Sequence, residues 1–287
     1  MPQQSPPRMP AESLFLLSAV AQYTGATIAV RLFDRVEPAT VAWFRVIGAT
    51  VALLVVSRVL RQRSARPWTR TEIGSAALLG IATALMNLFF FLAIDHLPLG
   101  KGVTIEFLGP IAVAAARTRS RRNAGALALA IAGVALLSGL AIKGDRVGIA
   151  FILAASAMWA VYIVIATKVA RLDRGVEGLG IGLLFGAVAI APFGIAHAGP
   201  VLRSPYLLGL CLLVGVFSNA IGYGIDQYVL RRMSMRRFSL MLALLPVVAL
   251  IMGALFLDQR PEFFDLVGVG LVLSGVIAQE RGDSDAE

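Results

Sequence analysis

Three ionisable side chains, Arg45, Glu106 and Asp226, stand inside otherwise apolar stretches of the chain. A charge in such surroundings is costly and is kept for a partner, a ligand or a proton. Arg45 lies about seven residues past Pro38, and Glu106 about five past Lys101. At 1.5 Å of rise per residue, both come roughly 7–10 Å below the same face of a helix bundle, so a charge pair between them is geometrically allowed. Such a pair could brace the fold. It could open to take the two ends of a zwitterion, ammonium on Glu106 and carboxylate on Arg45. It could also trade a proton, because burial disfavours the charged form of a carboxyl. Asp226 lies near Arg231 and Arg232. Reaching out to those arginines is its plainer use.

Uncharged polar groups at similar depth are Gln22, Tyr23, Asn87, Trp159, Tyr162, Asn219 and Tyr223. Amides could hydrogen-bond a polar solute, and aromatic rings could wall a cavity or stack on a cation. Each could equally hold one helix to the next. Two prolines, in Gly109-Pro110 and at Pro246, interrupt apolar stretches. A proline removes one helical hydrogen bond and crowds the preceding turn, and the freed carbonyl then needs a partner in protein or in a wet cavity. His96 and His197 lack the carboxylate spacing of a metal site, and the one cysteine, Cys211, sits in an apolar run. Metalloprotease, nucleotide-loop and serine-hydrolase motifs are all missing from the sequence. No cofactor or metal is expected, and transport by this chain would be secondary rather than ATP-driven.

The elements that must position these groups follow from composition. Of 287 residues, 58% are apolar and 15% charged, with a mean hydropathy of +0.80. A soluble fold of this size needs more polar cover than that. Ten apolar runs are long enough for helical spans: 13–32, 39–57, 72–94, 102–116, 124–142, 147–167, 177–196, 206–229, 238–257 and 262–279. The first resembles a cleaved leader only in Ala19-Val20-Ala21; the apolar stretch before it is too short, so a retained helix is expected. Ten spans put both termini on one side. If that side is the cytoplasm, the inner segments carry 18 Lys and Arg and the outer segments 7. This asymmetry predicts a multi-pass protein of the cytoplasmic membrane with both ends inside. The net charge of +9 comes from arginines bunched between apolar runs, which suits anionic lipid headgroups rather than nucleic acid.

Each half, 13–142 and 147–279, holds five runs. An odd number inverts the second copy relative to the first, as in inverted-repeat transporters. At an offset of 136, Leu108 matches Leu244, Pro110 matches Pro246, and Leu137-Ser138-Gly139 matches Leu273-Ser274-Gly275. Interruptions at corresponding places in two halves point to a central binding site. The expected architecture is an all-α integral membrane protein of ten transmembrane helices in a 5+5 inverted repeat. Its halves would rock about a cavity lined by the first, third, fourth, sixth, eighth and ninth spans. Gly178, Gly182 and Gly186 recur every four residues in the seventh span, where a neighbouring helix can come close. That neighbour belongs to the same chain or to another copy, leaving a monomer or a homodimer.

The stretch from His96 to Pro110, HLPLGKGVTIEFLGP, resembles the L-P-L-G…E-F-x-G-P signature of EamA-type drug/metabolite transporters, and within them the threonine/homoserine exporter branch. Arg45, after Ala42-Trp43-Phe44, matches an arginine that this family carries in its second span. Gly222-Tyr223-Gly224-Ile225-Asp226, followed by Leu230-Arg231-Arg232-Met233, resembles a second family segment. The chain departs from the pattern at Lys101, Gly222, Asp226 and Leu245. The resemblance implies inner-membrane export of small amino acids or related metabolites, driven by the proton gradient. Glu106 would then bind the substrate ammonium or a proton, and Arg45 would orient Glu106 or hold a carboxylate. Tyr23, Asn87, Trp159, Tyr162, Asn219, Tyr223 and Asp226 would complete the site. The same fold with a drug, nucleoside or sugar-derivative specificity, or a membrane-embedded lipid-handling protein or enzyme, stays open on sequence alone.

Overall fold

The computed structural model describes residues 10–59, 67–117, 120–141, 145–169, 175–222, 225, 229, 241–242 and 244–278. Each of the ten apolar runs is helical over most of its described part, and no strand occurs among the described residues. In a hydrocarbon environment the helix satisfies all its backbone groups locally, which is why apolar runs of this length take that form. The first part of the chain forms α1 (Ala11–Leu32), α2 (Pro38–Val59), α3 (Arg70–Ile94), α4 (Leu99–Glu106), α5 (Leu108–Arg117) and α6 (Arg121–Ala141). Then come α7 (Arg146–Val169), α8 (Gly175–Ile195), a short α9 (Gly199–Arg203) and α10 (Pro205–Gly215). The last runs on into a π-helical turn, Val216–Ile221. The final helices are α11 (Leu245–Phe256) and α12 (Phe263–Ala278). Among the described residues, five helices are long and apolar enough to cross a membrane: α1, α2, α3, α7 and α8.

Local chemistry sets the helix ends. Thr69 and Glu72 close a reciprocal capping box at the start of α3. The Asp145 carboxylate accepts the Gly148 N–H at the start of α7, and Ser204 accepts the Leu207 N–H just before Pro205 opens α10. The expected interruption of the fourth run is present, three residues earlier than its proline. Helix α4 ends at Glu106, Phe107 forms a turn, and α5 resumes at Leu108. Pro110 lacks the N–H that would bond the Glu106 carbonyl four residues back, so the ladder opens at Glu106 rather than at Gly109. The ninth run shows the same device. Leu242 is helical, Leu244 forms a turn, and α11 starts with Pro246 in its first turn. Pro192, by contrast, lies in the last turn of α8 without ending it.

The connections gather at one end of the bundle. Phe33, after α1, packs edge-on against Phe91 near the end of α3, with ring centroids 5.8 Å apart. His96, after α3, contacts Asp145, before α7, at 2.8 Å. Thr40, in the first turn of α2, donates to the Gly194 carbonyl near the end of α8. Gln259, after α11, accepts the Leu99 N–H at the start of α4.

The most extensive packing runs between early and late parts of the chain. Helix α3 lies against α7 and α8, α2 against α8 and α10, α6 against α12, and α4 against α11. Two of these approaches are backbone to backbone. A Cβ on Gly80 of α3 would collide with the Gly182 carbonyl of α8, and one on Gly215 would collide with the Arg45 carbonyl of α2. Gly182 and Gly186 of the glycine series thus meet a helix of the same chain. Large apolar side chains such as Val188, Leu255 and Phe263 project outward and are exposed, as expected of a surface that faces lipid.

Candidate functional site

Of the polar groups singled out in sequence, Arg45, Asn87, Glu106 and Asn219 are buried inside this bundle. Arg45, on α2, is 8% exposed. Its Nε donates to Asn219 Oδ1 at 2.8 Å, and its Cζ sits 4.7 Å from the centroid of the Phe91 ring. A guanidinium over an aromatic face is a cation–π contact, and in a desolvated setting a strong one. Asn219 lies in the π-helical turn and is fully buried. Turns of this kind widen a helix locally and are common at functional sites. The turn is fixed to α1, where Ser18 donates to the Gly222 carbonyl and Ser218 donates to the Gln22 carbonyl. Gln22 itself donates to Ser18. Its role is therefore in holding helices together, the second of the two uses open to it.

Glu106 ends α4 and is buried to the same degree as Arg45. Among the described residues no ion pair joins the two, although Arg45 is a charge that acts electrostatically on Glu106. The direct pair allowed by their depth is thus replaced by an arginine held on Asn219 and Phe91, with the carboxylate left open beside it. Arg45, Asn87 and Glu106 each lie seven residues inside their helix ends, at Pro38, Ile94 and Leu99. That puts all three about 10 Å below the end where the connections gather.

Asn87, on α3, is buried, and its Nδ2 has no hydrogen-bond partner; the same is true of Asn219 Nδ2. Buried donors left unpaired are rare in folded proteins and mark places that a ligand or water completes. Tyr23 is buried on α1. Trp159, on α7, packs edge-on against Phe107 at 5.0 Å, which sets its indole against the helix break beside Glu106. Tyr162 lies one turn further along α7 and is half-buried. Gly109 lets α5 come against the Ser156 backbone of α7. Pro110 is half-buried and Pro246 buried. Tyr223 and Asp226 lie outside the described residues.

Sequence reasoning missed a second polar cluster at the connection end. Lys101 Nζ lies 2.8 Å from Asp265 Oδ1, joining α4 to α12, with both side chains 12% exposed. They border a cavity of about 110 Å³ with Gln259, Arg260 and Pro261. Arg31 donates to the Phe256 carbonyl at the end of α11 and borders an adjoining open pocket of about 260 Å³ with Asp34 and Asp258. Lys101 stood out as unusual in its motif, but nothing local in the sequence points to Asp265. Phe91 carries no signal of its own either, since its neighbours on α3 are equally apolar. Among the described residues no cluster of His, Cys, Asp or Glu could hold a metal ion.

Comparison with known proteins places this arrangement. Residues 146–278 match the EamA-like transporter family. The threonine/homoserine exporter RhtA of Salmonella typhimurium is 31% identical over 94% of this chain and 90% of its own length. RhtA of Escherichia coli K12 is 29% identical over 91% of this chain and 88% of its own. An uncharacterized transporter of Clostridium kluyveri is 24% identical over 53% of this chain and 49% of its own. A solved crystal structure shares the fold, with a TM-score of 0.63 and 18% identity over 93% of this chain and 95% of that one.

Proposed function

The chain belongs to the EamA-like transporter family, and from that premise we propose that it moves a small zwitterionic metabolite across the cytoplasmic membrane by alternating access. Membership makes it a multi-pass membrane transporter with a small-molecule substrate, not an enzyme. The substrate class in this reading is an amino acid such as threonine or homoserine, by likeness to the RhtA exporters. The direction is outward, and the proton gradient supplies the driving force.

One observation carries the reading. A buried guanidinium is held by Asn219 and Phe91, while Glu106, a buried carboxylate as many residues inside its helix end as Arg45 is, has no ion-pair partner among the described residues. A zwitterion fits that asymmetry. Its carboxylate meets the guanidinium, and its ammonium meets Glu106. Between substrates the same carboxylate takes a proton, which gives a route for coupling. Pro110 has no N–H to give to the Glu106 carbonyl, so that acceptor next to the site suits an ammonium as well. Pro110 and Pro246 supply matching breaks in the two halves, 13–142 and 147–279.

Ten spans with both termini in the cytoplasm complete the proposal. The gathering of the 33–37, 95–98, 195–198 and 257–262 connections at one end supports the alternation. The surplus of Lys and Arg in the other connections supports the orientation.

The test is counterflow in loaded vesicles. Glu106→Gln keeps shape and removes charge, so the variant is expected to purify as a folded, monodisperse protein and carry no threonine. Threonine export by that variant at the wild-type rate overturns the proposal.

A further inference from the structure

We propose that Asn87 determines specificity by reading a hydroxyl on the substrate side chain. This rests on the zwitterion reading above and adds to it a third contact, the residue that selects for the hydroxyl.

The site holds two unpartnered amide donors, and they are not equivalent. Asn219 accepts from Arg45 through Oδ1. A guanidinium can only donate, so that amide has one allowed orientation and its Nδ2 stands next to the arginine. It therefore belongs to the carboxylate end of the ligand. Asn87 has no such tie. It precedes Phe91 by one turn on α3, and residues four apart share a helix face. Phe91 carries the Arg45 guanidinium on its ring. The Asn87 amide thus lies one turn deeper than that guanidinium along the same face, level with Glu106.

A zwitterion with its carboxylate on Arg45 and Asn219 and its ammonium at Glu106 has both charged ends taken. What remains for Asn87 is the side chain. The donor is buried to 2% exposure and has no protein partner. An apolar substrate side chain leaves it unpaired, and a hydroxyl oxygen pairs it. A site built to bond a hydroxyl rejects the analogue that lacks one, because its own polar group is then stranded.

Threonine and valine test this, being the same shape with hydroxyl exchanged for methyl. In proteoliposomes of the full chain, wild type is expected to prefer threonine over valine in kcat/KM by about 10–100-fold, the value of one hydrogen bond to a buried donor. Asn87→Leu is expected to bring the ratio close to one. A wild type that carries valine as well as threonine overturns the inference, and needs no variant to fold. So does an Asn87→Leu protein that keeps the wild-type ratio. Glu106→Gln separates the two levels of the argument. If it carries neither amino acid, the zwitterion reading stands whatever the ratio. If it carries both as wild type does, that reading falls and the hydroxyl inference falls with it.

Discussion

Arg45 and Asn219 are 174 positions apart in sequence and 2.8 Å apart in space. Their hydrogen bond ties α2 to the π-helical turn after α10, and it fixes a buried cation of the site. An arginine side chain free to swing would spend substrate binding energy on being ordered; this one is ordered beforehand.

That bond predicts a difference between two substitutions of one residue. Asn219→Leu removes the acceptor from a buried cation, a loss of about 1.5–3 kcal/mol for a hydrogen bond to a charged group. Asn219→Asp keeps an acceptor. Melting in detergent should therefore fall clearly for Asn219→Leu and much less for Asn219→Asp. Equal melting of the leucine variant and wild type would mean that the bond contributes nothing to stability.

The Lys101–Asp265 pair predicts non-additivity. With only 12% of each side chain exposed, deleting one partner strands the other, on the order of 3 kcal/mol for a buried pair. Lys101→Met and Asp265→Leu should each lower the melting temperature. The double variant should recover most of the loss, because two apolar chains of similar size can pack in the same space. Losses that simply add would show the two residues to be uncoupled.

At the same end, Asp145 predicts an acid limb in the stability profile. The Gly148 N–H first, and then His96, hold its carboxyl below the usual aspartate range. Its contribution to stability is therefore complete above the ordinary value near 4 and is lost as pH falls through the depressed one. The wild-type melting temperature should drop on acidification below about pH 4. Asp145→Asn keeps an N-cap acceptor but does not titrate, so it should show a shallower drop. Identical acid limbs in the two proteins would exclude Asp145 as a source.

Glycine substitutions should divide sharply by contact. Gly80→Ala and Gly215→Ala place a methyl against a backbone carbonyl of a neighbouring helix, so folded yield should collapse. Gly74→Ala, Gly125→Ala and Gly209→Ala meet open space within their helices and should be neutral or stabilising by up to about 1 kcal/mol. Expression and monodispersity across the five variants check this, and a healthy Gly80→Ala protein would contradict it.

Short-range signals were the legible ones. Apolar run length marked where helix occurs, and the two prolines marked the breaks, displaced by the reach of a hydrogen bond from Pro110 back to Glu106. The burial of Arg45 and Glu106 within their helices was readable by counting. What replaced their direct pairing was not readable. The Asn219 and Phe91 contacts depend on how α2, α3 and the π-helical turn meet, and no local pattern encodes that. The same holds for Asp265, 164 positions from Lys101. The family match falls on 146–278, whereas the motif that first suggested it, His96 to Pro110, lies before that stretch. Each part of the chain thus carried a different piece of the evidence.

The close seat of α3 on α8 at Gly80 and Gly182, with that of α2 on α10 at Gly215, has a mechanical consequence. Surfaces in backbone contact neither slide nor part without losing their packing along a whole helix. Residues 13–142 and 147–279 meet through these surfaces among others, so any motion of one against the other has to give up that packing.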